Sequence, residues 1–112
     1  MSTLRNTFAA MACAAILALA PGALAREITH AMGITEVPDS PQRIVILTNE
    51  GTEALLAVGI KPVGAVQSWV GNPWYDHIAD DMTDVTVVGE ESAINLEAIA
   101  ALQPDLVNGN KM

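Results

Sequence analysis

Arg43-Ile-Val-Ile-Leu-Thr-Asn-Glu-Gly-Thr-Glu-Ala-Leu-Leu-Ala-Val-Gly-Ile-Lys-Pro-Val-Gly-Ala-Val66 reads strand, turn, helix, turn, strand. Ile44 to Leu47 is an unbroken apolar run rich in β-branched residues, which suits a strand covered on both faces of a parallel sheet. Asn49 is placed to cap the helix that follows, with Glu50 and Glu53 set favourably against its positive end. Ala54, Leu55 and Val58 recur at helical spacing. Gly59 is expected to stop the helix in the left-handed conformation, and Pro62 blocks its continuation. Val63 to Val66 then forms the next strand, completing a βαβ unit, whose crossover is right-handed in nearly all such units.

The flanking segments extend the same alternation. Upstream, Glu27 to Val37 has a period of two broken at Gly33, as in an extended segment or hairpin, and Pro38-Asp39-Ser40-Pro41 ends it as a turn. Downstream, Ser68 to Tyr75 is a loop, Asp76 to Met82 a short helix, and Val85 to Val88 a strand ending at Gly89. Asn95 is expected to cap a helix that buries Leu96, Ile99, Ala100 and Leu102. Pro104 follows it, and Asp105 to Gly109 returns to the sheet. The fold class is therefore α/β: a Rossmann-like, mostly parallel sheet with flanking helices.

Residues 1–25 carry the three parts of a secretory signal. Arg5 is the positive start, Phe8 to Ala20 the short apolar stretch, and Ala23-Leu24-Ala25 the small-x-small cleavage pattern. The apolar stretch is too short to span a bilayer stably. Export with cleavage after Ala25 is expected, leaving a chain over residues 26–112 in the periplasm with no membrane span. Cys13, the only cysteine, raises a lipoprotein signal as a competitor, but the apolar stretch runs past it to Leu19 and the residue three before it is Ala10. The processed chain thus has no cysteine for a disulfide or thiolate site. All 13 acidic residues follow the cleavage site, so this part is more acidic than the whole chain's −8. Such a surface repels phosphates and argues against nucleic-acid binding.

In open parallel sheets ligands bind beyond the carboxyl ends of the strands. That rule selects four turns, expected to share one rim: Thr48-Asn49-Glu50, Gln67-Ser68-Trp69, Gly89-Glu90-Glu91 and Asn108-Gly109-Asn110. The ligand-binding candidates are Asn49, Glu50, Gln67, Ser68, Trp69, Glu90 and Asn110. Trp69, Trp74 and Tyr75 fall in one loop; Trp69, just past a strand end, is the one expected to face a ligand, with Trp74 or Tyr75 available to anchor the loop. His30 and His77 sit on separate elements with no ligand-like spacing, so no metal held directly by side chains is expected. No glycine-rich phosphate loop or nucleophile elbow is present, and no nucleophile is paired with a base, so no catalytic residue is assigned.

With these residues in view, the chain resembles the N-terminal lobe of the periplasmic substrate-binding proteins that feed iron-siderophore, haem and vitamin B12 ABC importers, the Fe/B12 periplasmic-binding domain. The resemblance rests on Arg43 to Leu47, Thr52 to Val66, Val88-Gly89 and Asn95 to Val107, and covers about Ile28 to Val107. It implies one lobe of a two-lobed fold, cut short before the linking helix and second lobe, with the ligand held between lobes. It implies binding rather than catalysis: no cofactor, a ferric siderophore or related chelate as ligand, and an ABC importer permease as partner. It also implies that Glu97, in the Asn-Leu-Glu motif, docks on that permease. Haem or corrinoid binding, a small exported flavodoxin-like enzyme, and a non-functional truncation are the alternatives. The enzyme reading is weakened by Glu50, which would repel a phosphate in the Thr48-to-Gly51 turn.

Overall fold

Successive residues of a strand point to opposite faces of a sheet, so a strand apolar at every position needs a cover on both sides. In the computed structural model, which describes residues 24–111, the central strand meets that requirement. This strand, β3 (Ile44–Ile46), is buried throughout. Ile46 packs with Ala65, Trp74, Ile78 and Met82 on one face, backed by Leu55 and Leu56 of helix α1 (Asn49–Ala57). Val45 packs with Val66 and Val88 on the other, backed by Ala98, Ile99 and Leu102 of helix α2 (Leu96–Leu102). The two faces form a three-layer core with helices outside and the sheet between.

The remaining strands are a hairpin, β1 (Ala25–His30) with β2 (Gly33–Pro38); the sheet members β4 (Gly64–Ala65), β5 (Thr86–Val87) and β8 (Leu106–Asn108); and a small hairpin, β6 (Gly89–Glu90) with β7 (Ala93–Ile94). The four-stranded sheet has the order β5-β4-β3-β8 and every neighbouring pair is parallel. Strand order runs outward from β3 through β4 to β5 and then returns to β8 on the other side of β3, and because every pair is parallel the carboxyl ends of all four strands open on one edge. Gly64 permits the close packing of α2 on β4: a Cβ there would lie 2.6 Å from Leu102 Cδ1.

The α/β class, parallel sheet and N-terminal hairpin agree with expectation, and Gly59 ends α1 with φ +80. Several local expectations need correction. Thr48, not Asn49, caps α1: Thr48 is extended (φ −137, ψ 148) and its hydroxyl accepts from the Gly51 N–H at 3.0 Å, whereas Asn49 is already helical. Regular pairing in β4 and β5 covers only the middle of the expected strands, although the Val63, Val66 and Val88 N–H groups still donate to neighbouring strands. Of the short helix expected over residues 76–82, only Ala79–Met82 is helical, as a single 3-10 turn preceded by turns. Helix α2 is capped by Asn95 as expected, its Oδ1 accepting from the Ala98 N–H at 3.1 Å. Its buried face, however, is Ala98, Ile99 and Leu102, which turns Ala100 outward and leaves Leu96 75% exposed. A two-turn helix covers the sheet with one narrow stripe, and Leu96 and Ala100 fall outside it.

The expected export signal lies outside the described residues apart from Leu24 and Ala25. Ala25 pairs with Pro38, and the Leu24 carbonyl accepts from the Asp39 N–H at 2.9 Å. Among the described residues, no helix is long and apolar enough to cross a membrane.

Candidate ligand-binding site

The chain leaves β4 through Gln67, Ser68 and Trp69, and leaves β5 into the β6–β7 hairpin. Gly89 makes that second exit possible: its φ is +104, and a Cβ would come within 2.4 Å of the Ala93 carbonyl. The base of the hairpin lies beside the chain leaving β4, with the Gln67 N–H donating to the Gly89 carbonyl at 2.9 Å. A cavity of about 370 Å³ opens between the two exits, lined by Gln67, Ser68, Trp69, Glu90, Glu91 and Ser92. It lies beyond the strand carboxyl ends, where binding crevices of open parallel sheets form.

Two acid–amide contacts hold this wall. The Gln67 side-chain amide donates to Glu90 Oε1 at 3.0 Å. Glu91 Oε1 accepts twice from Asn49, from the backbone N–H at 2.6 Å and from Nδ2 at 2.9 Å. Those bonds hold the Glu91 carboxyl below the usual glutamate range; the backbone bond is the largest cause and the side-chain amide the next, burial pushes back upward by less, and the Trp69 indole adds the smallest downward contribution. Asn49 Nδ2 also lies 3.4 Å from the Gln67 carbonyl. Asn49 therefore joins the start of α1, the end of β4 and the hairpin tip while itself buried.

The two tryptophans of the aromatic loop differ in burial. Trp69 is 76% exposed at the cavity mouth, whereas Trp74 is 8% exposed in the core against Ile46 and Ile78. Buried Ser68 closes the loop: its N–H donates to the Pro73 carbonyl and its hydroxyl accepts from the Tyr75 N–H, both at 2.9 Å. Tyr75 in turn stacks on His77, with centroids 5.4 Å apart, and His77 Nε2 lies 3.3 Å from Glu53 Oε2.

Of the candidates, Gln67, Ser68, Trp69 and Glu90 meet around one cavity, and Asn49 braces it from behind. Glu50 is exposed on the first turn of α1, outside the lining. Asn110 borders a separate groove of about 580 Å³ between β8 and the β1–β2 hairpin. The turn after β8 lies on the same edge of the sheet as the other three, with the Leu47 N–H donating to the Asn108 carbonyl at 2.9 Å, but β8 is on the far side of β3 from β4 and β5, so Asn110 does not reach the cavity. Glu91 and Ser92 also line the cavity, beyond the candidates named from sequence. Glu91 lies in one of the selected turns, but a two-residue β6–β7 ladder leaves little periodicity by which to see the tip curl inward. His30 belongs to the N-terminal hairpin, where its Nε2 is 2.6 Å from Thr35 Oγ1. Among the described residues, no group of three or more His, Cys, Asp or Glu side chains is arranged to hold a metal ion.

A parallel sheet flanked by helices, with a cavity off its strand ends, is an arrangement in which small-molecule crevices form. The chain belongs to the periplasmic binding protein family, whose profile matches residues 44–112. It is 62% identical over 88 residues to YfiY of Bacillus subtilis (strain 168), named a probable siderophore-binding lipoprotein, covering 78% of this chain and 27% of that protein. It is 37% identical over 67 residues to the achromobactin-binding periplasmic protein of Dickeya dadantii (strain 3937), covering 60% of this chain and 22% of that one. Among solved structures, SirA of Staphylococcus aureus complexed with staphyloferrin B superposes with a TM-score of 0.71 at 45% identity, covering 73% of this chain and 28% of SirA. The chain thus spans about a quarter of the length of these relatives.

Proposed function

We propose that this chain is part of the solute-binding component of an ABC importer, taking up a ferric siderophore or related iron chelate in the periplasm without transforming it. The observation that carries the reading is the cavity wall of Gln67, Trp69, Glu90 and Glu91 at the strand ends, in a family whose matched members include a probable siderophore-binding lipoprotein, an achromobactin-binding protein and a protein complexed with staphyloferrin B. An aromatic face beside hydrogen-bonding side chains suits a chelate with an apolar body and polar edges. Iron enters as cargo inside the chelate. A second surface would close over the ligand from the opposite side.

Exposed Glu97, in the first turn of α2 just after the β6–β7 hairpin, is the residue proposed to meet the permease. A carboxylate there can form a charge-assisted pair with an arginine across an interface.

The test is a tryptophan-fluorescence titration of the product of the whole open reading frame that contains these residues. Ferric siderophores of the hydroxamate, catecholate and carboxylate classes are expected to include one that gives a saturable change, with the iron-free chelator much weaker. Saturation by haem or a corrinoid alone, or no response to any ferric chelate, would overturn the reading.

A further inference from the structure

We infer that Trp69, Glu90 and Glu91 form a subsite for a cationic or N–H-bearing arm of the bound chelate, an inference that rests on the binding function proposed above. The lining of the cavity contains two carboxylates and no lysine, arginine or histidine. The cations among the described residues lie elsewhere. Arg43 donates through Nε and Nη2 to the Leu102 carbonyl at 2.8 and 2.7 Å, at the opposite ends of the strands. Lys61 precedes β4, Arg26 lies on the N-terminal hairpin, and Lys111 borders the second groove.

The amide donors near the cavity are also engaged. Gln67 Nε2 is bonded to Glu90, and Asn49 uses both its side-chain amide and its backbone N–H on Glu91. An anionic oxygen of the ligand placed here would meet two carboxylates and few free donors. An ammonium or amide N–H would meet acceptors and the exposed face of Trp69, which attracts cations through its ring quadrupole. The Asn49 bonds fix where the Glu91 carboxylate sits before the ligand arrives, so little ordering remains to be done on binding.

The test uses the same whole product and three versions of one linear ferric trihydroxamate: with a free pendant ammonium, N-acetylated, and N-succinylated. The ammonium form is expected to bind about tenfold more tightly than the acetylated form and the succinylated form to bind weakest, with Glu91→Gln and, separately, Glu90→Gln each narrowing the ammonium-to-succinyl ratio severalfold. Equal affinities in the unmodified protein, or a ratio unchanged in both variants, would overturn the subsite. Binding of ferric citrate or a ferric catecholate with none of the trihydroxamates would overturn it and leave the proposed function standing. Binding of no ferric chelate at all would remove both.

Discussion

Glu91 Oε1 accepts both the backbone N–H and the side-chain amide of Asn49, 2.6 and 2.9 Å away across 42 positions of sequence. The pair ties the β6–β7 hairpin tip to the start of α1. Because these bonds favour the ionised carboxylate, the Glu91 pKa is lower folded than unfolded. Its contribution to stability is fully present above the unfolded glutamate value of about 4.3 and is lost as pH falls through the folded value. Glu91→Gln should therefore lower stability near neutral pH by about 1 kcal/mol, less than a buried hydrogen bond to a charged group contributes because solvent screens this partly exposed site. Its melting temperature should also fall less than that of the unmodified protein as pH drops from 5 to 3. Parallel melting curves over that range would contradict the assignment.

Burial makes the sheet legible in the sequence, whereas the caps and helix faces turn on local choices between near-equals. Ile44 to Ile46 could be recognised as a doubly covered strand because every position is apolar. Thr48 and Asn49 are adjacent and both are good caps, so residue type could not decide between them; the hydrogen bond from Asn49 to a hairpin 42 positions away did. Leu96 is apolar and at helical spacing, but a seven-residue helix covers the sheet with one narrow stripe and Leu96 falls outside it. The site was half legible for a related reason. The rule for parallel sheets finds strand ends, but it does not say that β8 joins the far side of β3, which separates Asn110 from Trp69.

The cap assignment can be checked directly. Thr48→Ala removes the acceptor for the Gly51 N–H and should cost about 1 kcal/mol, while Thr48→Asp should recover most of it. Denaturant midpoints of the two variants measure the difference. Full stability in Thr48→Ala would return the cap to Asn49.

Trp69 and Trp74 should behave as two separate reporters. Iodide should quench the exposed Trp69 and leave the core Trp74 largely protected, so Trp69→Phe should abolish most of the quenchable emission. The same substitution should remove most of the fluorescence change caused by a ferric chelate. Trp74→Ala, by contrast, removes a core side chain and should cost about 3–5 kcal/mol. A chelate response that survives Trp69→Phe would place the reporter elsewhere.

Asp105 clamps the amino ends of two strands. Its Oδ2 accepts from the Gln42 N–H and its Oδ1 from the Arg43 N–H, both at 2.8 Å, and these bonds hold its carboxyl below the usual aspartate range. With a depressed folded pKa, its stabilising effect is present above the unfolded aspartate value and lost as pH falls through the folded one. Asp105→Ala should lower the melting temperature at pH 7 and lose much of that deficit in acid, whereas Asp105→Asn should be intermediate because it keeps one acceptor. The site is remote from the cavity, so chelate affinity measured well below the melting temperature should be unchanged.

Glu97 separates a transport role from a purely local one. It is exposed in the first turn of α2, where a carboxylate complements the helix dipole by about 0.3–1 kcal/mol whatever else it does. If it pairs with a permease cation, Glu97→Ala should leave chelate affinity intact and weaken uptake, and Glu97→Gln should weaken uptake nearly as much because charge, not size, makes the pair. A dipole role alone predicts a small drop in melting temperature with normal uptake in both variants. The strongest support would come from a charge reversal, Glu97→Arg, that abolishes uptake and is restored by an acidic substitution on the permease. Uptake and permease binding that remain normal in Glu97→Arg would end the docking assignment.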